Sequence, residues 1–408
     1  MNLQVQTSKI DWQEVELGNK DYFEILSSGI NDFEGKKDYL STESIQGTNI
    51  EKIECEMTYQ NRPSRANMQP VLNSIWFAKM QATLKVYCFD ETNKNEIMKY
   101  ILSTGFAGIK VNDKLVYPKY VKLFFISNIF NEEKDKLCTG STQRGINNNF
   151  IARIKIPLPS LQVQKQIVSI LENARALKQK REESDKSTKN YLQSVFYEMF
   201  DNCLKDKNKF KKITEFITED RNSIKAGPFG SSLKKECYVK RGYKIYGQEQ
   251  VIKDDLNFGD YYISKEKYKE LENYKIQEGD LLISLVGTYG KISLVPKSFQ
   301  EGIINPRLMK ITLNKKKMNP TFFKFLFNLP IIKTELENIS HGGTMDILNV
   351  GIIKKIDFPL PSIELQQKFA SIVEQVEKLK EKQKQSKEQI DEIFNSLMRK
   401  AFKGELVK

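Results

Sequence analysis

The chain has 408 residues, long enough for two or three domains that each bury a core. Hydrophobic residues at 39% and aromatics at 11% exclude a disordered chain. Sixty-five Lys and Arg against 52 Asp and Glu leave a net charge of +13, which suits a polyanion such as nucleic acid. A basic protein without such a partner has the same balance.

Residues 1–18 lack a positive segment followed by an apolar one, so no secretory signal is expected. No apolar run approaches the roughly 20 residues of a membrane span; the longest are stretches such as 281–286. Cys55, Cys88, Cys138, Cys203 and Cys237 are scattered and show no CxxC spacing, which argues against a disulfide framework or a zinc site. These features describe a cytoplasmic chain.

In chain order, the first polar loop is Asn61-Arg62-Pro63-Ser64-Arg65-Ala66-Asn67. Arg62 and Arg65 suit guanine O6/N7 or phosphate, Asn67 suits adenine N6/N7, and Ser64 adds a hydroxyl. Residues 75–80 and 81–86 read as a strand–loop–strand unit carrying Lys79, and residues 111–117 are rich in β-formers. Gly140-Ser141-Thr142, with Arg144, forms a second polar loop.

A long helix follows. Pro157-Leu158-Pro159-Ser160 keeps the entering chain extended, with Ser160 as N-cap. Beyond it, Val163, Ile167, Ile170, Ala174, Leu177, Arg181, Ser184, Thr188, Tyr191 and Val195 are spaced as an a/d heptad seam.

After residue 203 a new globular segment begins. Its loops offer Ser231, Ser232 and Lys234 in Ala226-Gly227-Pro228-Phe229-Gly230-Ser231-Ser232, then Gln248 in Tyr246-Gly247-Gln248. Residues 281–286 and 287–292 form a second strand–loop–strand unit holding Thr288, Tyr289 and Lys291. Arg307 follows Asn305-Pro306, an apolar helical run covers 319–328, and a Gly343-Thr344 loop comes next. For any one of these residues a solvated loop is the plain alternative to a DNA contact.

The chain repeats itself. Pro157-Leu158-Pro159-Ser160 recurs 202 residues later as Pro359-Leu360-Pro361-Ser362, and the ungapped shift gives 14 identities over the 44 positions 157–200. The second copy carries the same heptad seam from Leu365 to Leu397, and Gly342-Gly343-Thr344 matches Gly140-Ser141-Thr142. The two strand–loop–strand units match at a shift of 206. Both seams turn polar at their centres, at Arg181 and Ser184 and at Gln383 and Ser386. Polar seam residues fix register and partner, so the helices are expected to pair antiparallel with their polar centres together. Separate packing of each helix, or homodimerisation, is the alternative. The expected fold is α+β: two mixed α/β domains in tandem (1–156 and 203–358), separated by two long antiparallel coiled-coil helices (157–202 and 359–408), a pseudo-two-fold internal repeat.

Catalytic parts are missing from the pattern. There is no Asn-Pro-Pro-aromatic tetrad, and Leu285 stands where the first glycine of a phosphate loop ending in Gly290-Lys291 would be. The only histidine, His341, aligns with Thr139 in the other copy, which argues against a catalytic role.

The segments IPLPSLQVQKQIVSIL and FPLPSIELQQKFASIV, the ending LMRKAFKGEL, and NRPSRANM, GPFGSSL, GDLLISLVGTYGK and INPRLM resemble the specificity subunit of Type I restriction–modification systems, over essentially the whole chain. The resemblance implies two target-recognition domains, each reading half of a split double-stranded DNA sequence. It implies helices that space the halves and dock two methyltransferase subunits, with restriction (motor–nuclease) subunits joining for cleavage. No cofactor is expected on this chain; S-adenosylmethionine, ATP and Mg²⁺ fall to the partners. Gly343 and Thr344, with Ser141 and Thr142, complete the implied DNA-binding set. Pro306 departs from the polar residue the pattern expects there, and the first domain matches through NRPSRANM rather than GPFGSS, a different subtype. A stand-alone two-module DNA-binding regulator with a coiled coil is the competing reading.

Overall fold

The computed structural model describes residues 12–141, 143–340 and 348–407. The chain divides into two compact units, Met1–Glu183 with Lys384–Lys408, and Ser184–Gln383. Each long helix therefore belongs half to one unit and half to the other.

In the first unit the main sheet runs Phe23–Leu26, Phe106–Val111, Ser74–Ala78, Val86–Phe89 in spatial order. All five residues of Ser74–Ala78 are buried because the strand is covered on both faces. Ile75 and Phe77 point into the main core with the helices, while Trp76 and Ala78 point into a smaller core shared with the second sheet. That second sheet runs Cys55–Met57, Lys37–Leu40, Tyr100–Ser103, Ala66–Met68. The β-rich run at 111–117 only begins on a strand: Phe106–Val111 ends there, and the N–H groups of Leu115 and Val116 turn back to the Asn112 carbonyl. Helix Pro118–Ile126 follows, its proline in the first turn and Tyr120, Val121, Leu123, Phe124 and Phe125 buried.

The second unit repeats this plan. Its main sheet runs Ile224–Ala226, Leu308–Ile311, Leu281–Ser284, Ile292–Leu294, and its second sheet Tyr238–Val239, Tyr262–Ile263, Tyr243–Tyr246, Gly302–Ile304. The apolar run at 319–328 forms helix Pro320–Phe327, capped by the Asn319 side chain. Strand registers reproduce the two sequence offsets. Ile75 opposes Cys88 where Leu281 opposes Leu294, a shift of 206, and Phe106 opposes Ala78 where Leu308 opposes Ser284, at which the shift has returned to 202.

The long helices run Leu161–Lys205 and Ile363–Phe402, 45 and 40 residues. They begin directly after Ser160 and Ser362, the N-caps read from the sequence, while the first positions of the segments 157–202 and 359–408 end the strands Lys155–Pro157 and Asp357–Pro359, which pair with Glu14–Glu16 and Phe210–Lys212. Ser362 Oγ accepts the Leu365 N–H at 3.4 Å. Within each unit the two helical halves pair antiparallel. In the first, Ile167, Val168 and Leu171 share a core with Met398, Ala401 and Phe402, and Lys178 meets Asp391 at 2.7 Å. In the second, Phe196 and Phe200 pack on Phe369, and Gln383 donates to Thr188 Oγ1 at 2.9 Å, so polar seam residues do meet.

In places the seam lies one residue further along than the heptad reading puts it. Ile167, Phe369, Val376 and Gln383 are buried as expected, but Leu177 (61% exposed), Tyr191 (53%), Leu379 (47%) and Ile393 (58%) face solvent. Leu171, Leu192, Val373 and Phe394 turn inward instead. A straight helix drifts by about 20° per heptad, and each half also packs on its own domain, which widens and rotates the buried face.

Candidate nucleic-acid interface

At one end of each main sheet the chain builds the same corner twice. In the first domain Lys79 N–H donates to Gly105 O (2.9 Å), Ala78 N–H to Lys85 O (3.0 Å), and Ile146 N–H to Lys79 O (3.0 Å). In the second, Leu285 donates to Arg307 O, Ser284 to Lys291 O, and Leu348 to Leu285 O, each at 2.9 Å. These bonds lie at and just beyond the strand ends, and the loops they tie down carry the polar residues.

Of the residues singled out there, the corner of the second domain brings together Gln248, Thr288, Lys291 and Arg307. Gln248 donates to the Val286 carbonyl, beside Thr288 and Lys291, and the Arg307 N–H is held by Asn305 Oδ1 at 2.9 Å. Gly227 closes in from the neighbouring loop: its N–H donates to Leu308 O at 2.8 Å, and a Cβ there would stand 1.9 Å from Asn305 O, so only glycine fits. Ser231 and Lys234 lie further along that loop, exposed, with Ser232 half-buried. Tyr289 is half-buried, its ring packed against the domain core. Pro306 leaves the neighbouring Asn305 side chain occupied in holding the turn.

In the first domain the corner holds Lys79, Arg65 and Arg144 together. The Arg65 guanidinium lies across Gly105, with Nη2 3.0 Å from where a Cβ would be, and so brings positive charge to the place that Arg307 fills in the second domain. Arg144 Nη2 donates to Cys138 O at 3.1 Å and anchors the loop bearing the exposed Ser141. Arg62 stacks on Tyr59 at 4.0 Å, which pre-orients its fork, and Ser64 beside it is exposed. Asn67 sits in the edge strand Ala66–Met68, where its carbonyl accepts the Gly29 N–H at 2.8 Å. Thr142, Gly343, Thr344 and His341 lie outside the described residues.

Lys85 went unremarked in the sequence although it aligns with Lys291. It opens the strand leaving the same loop and donates to Thr42 O at 2.7 Å. Each loop is also braced by a lysine from the second short helix behind it. Lys134 donates to Met80 O (3.2 Å) and Thr83 O (2.8 Å), while Asp135 accepts the N–H of Ala82, whose φ is +54°. Lys333 donates to Gly290 O. Burial lowers the pKa of Lys79 and Lys134, and burial reinforced by Lys291 lowers that of Lys333 to about 8. Among the described residues no group of three or more His, Cys, Asp or Glu is placed to hold a metal ion, and no helix is long and apolar enough to cross a membrane.

Two copies of one scaffold, each ending in a polar, basic corner with different loops, define a tandem sequence-reading protein mounted on paired helices. The chain belongs to the family of the Type I restriction modification DNA specificity domain, which matches residues 9–185 and again 204–392. It is similar to the Type I restriction enzyme MjaVIII specificity subunit of Methanocaldococcus jannaschii, 22% identical over 97% of this chain and 93% of that protein. The EcoBI specificity subunit of Escherichia coli is 25% identical over 65% of this chain, which spans only 61% of that relative's length. Among solved structures, a chain of a type I R-M system superposes with a TM-score of 0.66 at 19% identity, covering 97% of this chain and 98% of that one. The S subunit from M. genitalium superposes with a TM-score of 0.52 at 15% identity, covering 98% of both chains. Specificity subunits are the non-catalytic components of these systems.

Proposed function

We propose that each domain reads one half of a bipartite double-stranded DNA target, that the helix pair sets the spacing of the halves, and that the helices dock two methyltransferase subunits. The observation that carries this reading is the duplicated corner. The backbone bonds are the same in both domains while the side chains they present differ, as two specificities on one scaffold require. Cationic groups at each corner suit phosphate or guanine.

Docking is supported by the helices. Leu177 and Leu379, equivalent under the repeat, are apolar yet exposed. Hollows that share repeat positions also flank the helices: one of about 860 Å³ touching Leu192, Asn328 and Leu329, and a much smaller one of about 50 Å³ touching Phe394, Ile126 and Ser127. Equivalent sites in the two copies fit two copies of one partner. S-adenosylmethionine would then reside on the methyltransferases, with ATP and Mg²⁺ on the restriction subunits that cleave.

Co-expression with the neighbouring methyltransferase, followed by genome-wide mapping of methylated adenines, tests the reading. A split motif with a constant gap is the expected result. Tight, specific DNA binding by the isolated chain, with no methylation in the pair, would favour the stand-alone regulator.

A further inference from the structure

We propose that Phe229 is an aromatic wedge, its ring stacking against a DNA base at the half-site read by the second domain. The proposal rests on the DNA-reading function above and names a contact within it.

Phe229 is 84% exposed, more than Met98 at 71% or any other large hydrophobic residue among the described residues. A flexible loop would fold such a ring onto the domain, but this loop cannot. Pro228 before it and Leu233 after it are buried, the latter with Ile245 and Ile263. Gly227 is pinned to Leu308 and pressed against Asn305, and the Ser232 N–H donates back to Phe229 O at 2.9 Å. The backbone is thus fixed on both sides of the ring, with the ring held outward.

The scaffold itself does not call for this arrangement. In the first domain the chain leaving the equivalent strand, Phe23–Leu26, is tied by Gly29 N–H to Asn67 O at 2.8 Å, and Ile30 and Phe33 pack into a small core. The outward aromatic belongs to the second domain alone.

Its surroundings select the ligand. Ser231, Lys234 and Lys235 are exposed on the same loop, and the turn gripping Gly227 leads into Arg307. An aromatic face bordered by hydroxyls and cations matches a nucleic acid, whose bases stack while its phosphates take the charge. A protein interface would surround the ring with apolar neighbours, and Gly230 beside it faces open space.

The test uses the full chain co-purified with its methyltransferase subunits and a duplex carrying the motif mapped by methylation. Phe229→Ala should weaken binding about 5- to 150-fold, the range of one lost base stack, with the subunit composition unchanged. Phe229→Trp should keep affinity, and its fluorescence should be quenched when the duplex is added. Affinity of Phe229→Ala within about twofold of wild type would overturn the wedge alone. So would loss of the methyltransferase from Phe229→Ala, or quenching of Phe229→Trp by the methyltransferase without DNA, either of which assigns the ring to a protein contact. A wild-type complex that binds mapped and scrambled duplexes equally would overturn the DNA-reading function and the wedge with it.

Discussion

Gln366 Oε1 accepts the backbone N–H of Asn319 at 2.8 Å, fixing the start of the second long helix to the cap of a helix in its own domain. The amide donates in turn to Lys317 O (3.1 Å) and Pro361 O (2.8 Å), and the side chain is fully buried. Gln164 makes the same three bonds in the first domain, to Tyr117 N, Leu115 O and Pro159 O. Gln366→Leu keeps the volume but strands three buried backbone groups, each worth about 1–3 kcal/mol. Urea unfolding should show the second domain losing stability while the first is unchanged.

At the centre of the helix seam, Gln383 donates to Thr188 and lies 3.5 Å from Ser184. Gln383→Leu exchanges this polar contact for an apolar one, so stability should hold within about 1 kcal/mol while pairing becomes less selective. Light scattering after gel filtration should then detect higher oligomers that the wild type does not form.

Arg62 and Arg65 are offered by the first domain only. Replacing either with Ala should weaken recognition of one half-site by about 1–3 kcal/mol per lost bidentate contact. Methylome mapping should show relaxed sequence preference in that half and an unchanged second half.

Lys333 has a folded-state pKa of about 8, below its ordinary value of 10.5, through burial and then Lys291, with Glu337 opposing. The unfolded chain therefore binds the extra proton between those two values, and this group's contribution to stability rises with pH across that window. Below it the charged lysine is a standing cost. Lys333→Met should abolish that part of the pH dependence, seen as a smaller gain in denaturation midpoint between about pH 7.5 and 9.5 than in wild type.

One heptad added to the long helices should lengthen them by about 10 Å, or about three base pairs of DNA. The mapped gap between half-sites should change while the half-sites themselves do not. An unaltered gap would remove the spacing role from the helices.

The duplication was legible because the helices carry identical residues at fixed offset, Gln164 and Gln366 among them, and the return from 206 to 202 is visible as strand register. The inward face of the helices was less so. Ile170 and Leu171 are both apolar, and only packing on the domain decides that Leu171 is buried and Ile170 exposed. At the corner, loops far apart in sequence converge through backbone bonds that no motif announces. Arg65 reaches Gly105, and Gly227 reaches Asn305. Tyr289 was ambiguous for a related reason, since a tyrosine in a loop suits a ligand or a core equally until its neighbours are known.

Residues 398–402 complete the hydrophobic core that Tyr120 and Phe124 begin. During synthesis, the domain encoded first must therefore wait with that core open until the second has been made in full. The core of the unit encoded first is thus completed last, since Met398 and Phe402 are among the final residues made. A premature stop between Lys384 and Met398 would leave the later-made unit's residues complete and remove Met398 and Phe402 from the core of the earlier one.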